Sequence, residues 1–173
     1  MSSDLDGLLN ILDAHGAELH ALLTRLTLRA EAAEDLLQDL FLKLRASAGL
    51  AKARNPKAYV FQSAIHLAFD WRRAHKRTEP LHTEPVFAGE STLDHLIGVE
   101  EFEQVLGAME HLSELARQVV VLRYLQHQEY AEIADELDKT EHQVRALCHK
   151  ALGQLQAILK PAAPLPEKRG NQT

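Results

Sequence analysis

Residues 129–155, EYAEIADELDKTEHQVRALCHKALGQL, hold two apolar stripes of helical period separated by a helix-start signal, and that punctuation leaves the segment few ways to fold. Tyr130, Ile133, Ala134 and Leu137 recur at the spacing of one helix face, while Glu132, Asp135 and Glu136 fall toward water. Thr140-Glu141-His142-Gln143 then has the form of a capping box: the Thr140 hydroxyl can accept from the Gln143 amide, and the Gln143 side chain can reach back. The first helix is therefore expected to stop at residues 137–139 and a second to start at Thr140. On the second, Val144, Leu147, Cys148, Ala151 and Leu155 form the buried stripe, leaving Gln143, Arg145, Ala146, His149 and Lys150 on a free polar face. Two helices joined by a turn of about three or four residues have the geometry of a helix-turn-helix, whose second helix can enter a DNA major groove. An ordinary helical hairpin has the same pattern.

The rest of the chain bounds what this element can serve. With 46% hydrophobic residues in 173, the chain can bury one moderate core or two small ones. A formal net charge of −6 argues against a protein coated in DNA-binding cations, but its distribution says more than its sum. Between residues 52 and 77 seven Lys or Arg stand against one acid, Asp70; between 78 and 114 there are nine acids and no Lys or Arg. The single cysteine, Cys148, cannot form an internal disulfide and falls on the apolar stripe, as expected of a small core residue in a reducing cytoplasm. The acidic start MSSDLDGLLN lacks a signal-peptide layout, and no apolar run approaches the ~18 residues of a membrane span. Neither secretion nor membrane insertion is expected.

Taken in order, Leu8, Leu9, Ile11, Leu12, Leu19, Leu22, Leu23 and Leu26 suggest two short helices broken near His15-Gly16. His15, His20 and His66 lack metal-ligand spacing and read as solvated or hydrogen-bonded. In AEAAEDLLQDLFLKLRA, Leu36, Leu37, Leu40, Phe41 and Leu44 make a core stripe, while Glu34, Asp35, Gln38, Asp39 and Leu42 form an acidic face with one apolar spot. Such a face is either solvated or receives a basic partner helix. SAGLAKARNPKA is expected to be a loop, after which Tyr59, Val60, Phe61, Ile65, Leu67, Ala68, Phe69 and Trp71 resume a helix ending in RRAHKR. Interleaved cations and aromatics suit single-stranded nucleic acid, where Lys and Arg hold phosphates and ring faces accept unstacked bases. Phe61 and Phe69 are expected in the core instead. The Pro- and Glu-rich stretch 78–91 marks a linker, a second helical block opens near Thr92, and residues 161–173 read as a disordered tail.

AEDLLQDLFLKL, then NPKAYVFQSAIHLAFDWRRAHKR, then LSELARQVVVLRYLQHQEYAEIADELDKTEHQVRALCHKAL stand in one order. The set resembles the sigma-70 family of bacterial RNA polymerase sigma factors, in the extracytoplasmic-function group that keeps only regions 2 and 4. The resemblance implies an all-α chain of two small helical domains: region 2 over 1–77, a linker over 78–91, and a region 4 helix-turn-helix over 92–160. It implies that Asp35, Gln38, Asp39 and Leu42 meet the coiled coil of the polymerase β′ clamp. Lys52, Arg54, Asn55, Lys57, Tyr59, Trp71, Arg72, Arg73, Lys76 and Arg77 would capture and help open the minus-10 element. Thr140, His142, Gln143, Arg145, Ala146, His149 and Lys150 would face the minus-35 element while the same domain touches the β flap. Core polymerase and promoter DNA are the implied partners, and an anti-sigma factor is a further candidate.

Four positions depart from the family pattern. Asp138 stands where the turn usually has glycine, Lys139 where an apolar residue is usual, Leu147 where the recognition helix often carries a cation, and Glu129 where a Ser or Thr usually caps the first helix. Asp tolerates a left-handed backbone better than most residues, so the turn is expected to survive. A stand-alone helix-turn-helix regulator would leave the acidic helix and the RRAHKR terminus without a joint explanation. No Gly-rich phosphate loop, metal-ligand cluster or nucleophile motif points to an enzyme, a metal or a cofactor.

Overall fold

The computed structural model describes residues 2–75 and 98–160. Lys76, Arg77, the expected linker 78–91, residues 92–97 and the expected tail 161–173 lie outside the described residues. Within them every regular element is helical. The order is α1 (Ser2–Thr27), α2 (Ala30–Arg45), α3 (Ala48–Lys52), α4 (Pro56–His75), α5 (Val99–Met109), α6 (Glu114–Val120), a π-helical turn (Val121–Leu125), α7 (Tyr130–Glu136) and α8 (Glu141–Leu159).

The expected break at His15-Gly16 is absent, and α1 runs through it. A glycine inside a helix costs about 0.5–1 kcal/mol relative to alanine. The wholly buried side chains of Leu8, Leu19, Leu22, Leu23 and Leu26 lie on either side of it, each worth about 1.5–3 kcal/mol. Burial outweighs propensity. The helix ends instead at Leu28, which takes a left-handed φ of 59° and still buries its side chain. Arg29 is then extended and α2 begins.

Helices α1, α2 and α4 pack on one another around Leu22, Leu26, Leu40, Leu44, Val60, Ile65 and Phe69. The stretch 47–58 is not a plain loop. Ser47 Oγ accepts from the Gly49 amide at 3.1 Å and starts the single turn of α3. Asn55 Oδ1 then accepts from the Ala58 amide at 3.1 Å, with Pro56 at the first helical position of α4, where a missing N–H loses nothing.

In the second half, α5, α6 and α7 surround α8, burying Leu106, Val119, Leu122, Ile133, Val144, Cys148 and Ala151. Ser113 caps α6 through the Ala116 amide, 3.2 Å away. Beyond it the chain widens for one π turn, closed by the Gln126 amide donating to the Val121 carbonyl at 3.1 Å. The two halves touch, and Phe69 of α4 lies 4.7 Å beneath the guanidinium of Arg117 on α6.

Candidate nucleic-acid interface

The helix-turn-helix forms by local bonds that the sequence spells out. The Leu137 amide bonds the Ile133 carbonyl at 2.9 Å, Asp138 turns left-handed with φ 54°, and the Lys139 amide closes on the Ala134 carbonyl at 2.9 Å. Thr140 Oγ1 accepts from the Gln143 amide at 3.1 Å, while Gln143 Oε1 accepts from the Thr140 amide at 3.0 Å. The first helix has no comparable hydroxyl; Glu132 reaches back to the Glu129 amide at 2.9 Å. Val144, Cys148, Ala151 and Leu155 are buried, Leu147 is half-buried, and Thr140, His142, Gln143, Arg145, Ala146, His149 and Lys150 all stand exposed on α8. Glu136, expected to face water, is instead half-buried. Its pKa is raised, first by burial, against the hydrogen bond from Gln128 Nε2.

Arg145 is held before any ligand arrives. Its Nη2 bonds Glu141 Oε1 at 2.6 Å, and its guanidinium lies 4.5 Å over the Tyr130 ring, where Arg123 also lies at 4.5 Å. The Tyr130 hydroxyl points to Cys148 Sγ at 3.7 Å, a contact that raises the tyrosine pKa, with burial as the second cause. Sequence reasoning missed Tyr130 as a support for the reading helix. Its place on the apolar stripe of α7 hid a ring that two cations share.

The basic segment is less open than its composition implies. Lys52, Lys57 and Arg73 are exposed; Lys57 Nζ sits 5.6 Å over Phe61, and Arg73 pairs with Asp70 at 2.9 Å. Tyr59 is half-buried, with its hydroxyl 3.4 Å from Ser47 Oγ and against Gly49, where a Cβ would overlap that hydroxyl. Trp71 stacks on His75 with ring centroids 4.5 Å apart. Asn55 is occupied as the cap of α4. Arg54 bonds the Asp135 carbonyl at 2.8 Å and its carboxylate at 3.1 Å. Arg72, read from sequence as a surface cation, is 6% exposed and enclosed by carboxylates of the second half. Phe61 and Phe69 are core, as expected.

On α2, Glu34, Asp35, Gln38 and Asp39 are exposed, and Leu42 is 55% exposed. Behind Leu42 lies an open groove of about 590 Å³ lined by Leu12, Gly16, Glu34, Leu37, Gln38, Phe41 and Leu42. The contribution of Leu12 and Gly16 was not legible, because it depends on α1 packing beside α2. Among the described residues no His, Cys, Asp and Glu side chains gather as a metal site, and no helix is long and apolar enough to cross a membrane.

The model of sigma-70 region 2 matches residues 11–78, and that of sigma-70 region 4 matches residues 102–155. Together they take in more than two thirds of the chain, in the family's order. The chain belongs to the sigma-70 family. Holding regions 2 and 4, with residues 79–101 between the matches, it is an extracytoplasmic-function sigma factor, acting in transcription initiation with core RNA polymerase and promoter DNA. No curated protein sequence matches this sigma factor. A solved structure similar to it is the sigma factor RpoE in complex with the anti-sigma factor NepR from Bartonella quintana. Sequence identity is 21% over 92% of this chain and 98% of that one, with a TM-score of 0.48.

Proposed function

We propose that this sigma factor divides its work among three surfaces within a region 2 domain of residues 1–77, a linker of 78–91 and a region 4 domain of 92–160. The exposed face of α8, carrying Thr140, His142, Gln143, Arg145, Ala146, His149 and Lys150, reads the minus-35 element in the major groove. Arg145 and Lys150 supply its fixed cations. The α3–α4 segment, with Lys52, Arg54, Asn55, Lys57, Tyr59, Trp71, Arg72 and Arg73, followed by Lys76 and Arg77, takes the minus-10 strand. It opens that element by binding unstacked bases better than paired ones. The acidic face of α2, with Asp35, Gln38, Asp39 and Leu42, docks on the β′ clamp coiled coil, and the α5–α8 domain also meets the β flap.

The observation that carries this reading is the capped turn at residues 137–140, which projects a face of α8 that is polar except for Ala146 away from the core while its apolar stripe stays buried. The protein works in the cytoplasm, without catalysis of its own, and an anti-sigma factor is a further candidate partner. Transcription in vitro with purified core polymerase and genomic DNA tests it. Start sites that appear only when this chain is added, sharing one minus-35 and one minus-10 sequence, are expected. Specific promoter binding by the chain alone, with no new start sites beside polymerase, would assign it to stand-alone regulation instead.

A further inference from the structure

One ring in the helix-turn-helix carries cations from two different elements. Arg123, in the π-helical turn, has its guanidinium 4.5 Å from the centre of the Tyr130 ring, and Arg145 of α8 has its own at the same 4.5 Å. Two cations on one ring repel each other, and here each is offset by its own carboxylate. Arg123 Nη1 bonds Glu129 Oε2 at 3.2 Å and the Gln128 carbonyl at 2.9 Å, while Arg145 Nη2 bonds Glu141 Oε1 at 2.6 Å. The ring is itself held. Its hydroxyl meets Sγ of Cys148 at 3.7 Å, and Cys148 is 1% exposed on the buried stripe of α8.

We propose that Tyr130 is a positioning residue for promoter reading: it holds the Arg145 guanidinium where that fork takes a base, and so sets the sequence preference at one position of the minus-35 element. The inference rests on the assignment of α8 to that element. A carboxylate one turn away holds an exposed arginine weakly, because water screens the pair and the long side chain keeps its rotamers. An aromatic face against the guanidinium adds a second, independent constraint. Glu141 fixes one end of the fork, and the ring fixes where its centre lies. Glu141 is the acceptor that Arg145 has among the described residues, which leaves Nε and Nη1 for a ligand. Guanine, whose N7 and O6 accept side by side, is the base such a fork takes. Lys150, the other cation of the face, is exposed and has neither ring nor carboxylate against it among the described residues. As a compact charge on a free stem it suits a phosphate, which carries no sequence information.

The ring acts through side-chain entropy. An arginine ordered only on contact with DNA loses its rotamers at that moment, whereas one ordered beforehand has already lost them on folding. The benefit is realised only where the opposing base offers the acceptors that the held fork can reach. A freely moving Arg145 would instead find a phosphate or a neighbouring base at nearly every sequence. Tyr130 therefore sharpens discrimination more than it raises affinity. The ring also packs, half-buried, against the core of the second half, so its part in reading has to be separated from its part in stability.

The test uses the full chain with core polymerase on a promoter library randomised across the minus-35 element, read as relative transcript abundance. Arg145→Ala locates the position that Arg145 reads. Tyr130→Leu should weaken the preference at that same position by roughly two- to ten-fold, the effect of ordering one long side chain on binding, and leave the other positions as they are. Tyr130→Phe, which keeps the ring, should retain the wild-type preference. A Tyr130→Leu variant with wild-type helix content by circular dichroism that keeps the full preference overturns the proposal. One that lowers every sequence alike overturns it too, because a merely structural role would do that. Nuclear magnetic resonance of the free wild-type chain stands whether or not the leucine variant folds: the ring should shift the Arg145 δ protons upfield, and random-coil shifts there overturn the proposal. Arg145→Ala with every minus-35 preference intact, while that upfield shift persists, refutes the reading by α8 itself, and the proposal falls with it.

Discussion

Replacing Asp138 by glycine or by alanine tests the turn that presents the reading helix. Asp138 holds φ at 54°. An L-residue other than Asn or Asp loses about 1–2 kcal/mol there, through the clash of its Cβ with the following carbonyl, whereas glycine loses nothing. Against this, glycine leaves the unfolded chain freer, which takes back about 0.4–1 kcal/mol. Both replacements delete the 3.6 Å contact with Arg54, whose partners are 66% and 89% exposed, so that loss cancels between them. The difference between Asp138→Gly and Asp138→Ala therefore reads the backbone alone. The glycine variant should be the more stable by about 0.5–1 kcal/mol, or about 1–4 °C in Tm for a chain of this size. Urea unfolding followed by far-ultraviolet circular dichroism measures it, and transcription from a promoter dependent on this chain should fall in the same order. Equal stability of the two variants, or a more stable alanine variant, would refute the left-handed turn.

Thr140→Ala removes the acceptor for the Gln143 amide and should destabilise the chain by about 1 kcal/mol, read in the same urea titration, with serine restoring most of the loss. Leu42→Asp, at a side chain 55% exposed, should change unfolding by less than about 0.5 kcal/mol yet reduce co-purification with core polymerase; full retention would disconnect the α2 face from docking. Glu136 has its pKa raised by burial, so the folded state binds its proton more tightly than the unfolded chain does. Its charge is without penalty below the ordinary carboxylate pKa, where both states are protonated, and the penalty grows as pH rises through the folded pKa. Glu136→Gln keeps an acceptor for Gln128 and should gain stability over the wild type with rising pH; a difference that does not vary with pH would show that the site is not desolvated.

What the sequence could disclose was local. The capping box, the apolar stripe of α8 and the left-handed Asp138 all depend on neighbours within a few residues, and the observed bonds are those the residue types call for. Gly16 misled because propensity acts on one residue while burial of Leu8, Leu19 and Leu22 acts on the whole of α1. Ser47 and Asn55 read as loop residues because they prefer caps and turns alike; which they became was decided by Leu50 and Ala58 being buried behind them. Arg72 is the sharpest case. Its partners Glu103 and Glu110 lie far along the chain, so the sequence placed it among the cations that face the minus-10 strand although it is among the most enclosed polar groups of the described residues. Tyr130 was hidden likewise, since ring contacts with Arg123 and Arg145 come from helices on either side of it.

The π turn at Val121–Leu125 bears on how this chain can vary in length. It holds one residue more than an α-helical turn would, between α6, whose Arg117 packs on Phe69, and the stretch that leads to Tyr130. Removing one residue there lets the turn narrow to α-helical spacing and leaves the helices on both sides in phase. The same deletion inside α8 would rotate everything beyond it by about 100° and turn the Cys148–Ala151–Leu155 stripe out of the core. Length drift in this half of the molecule is thus absorbed upstream of the reading helix, at a place where no residue need touch DNA.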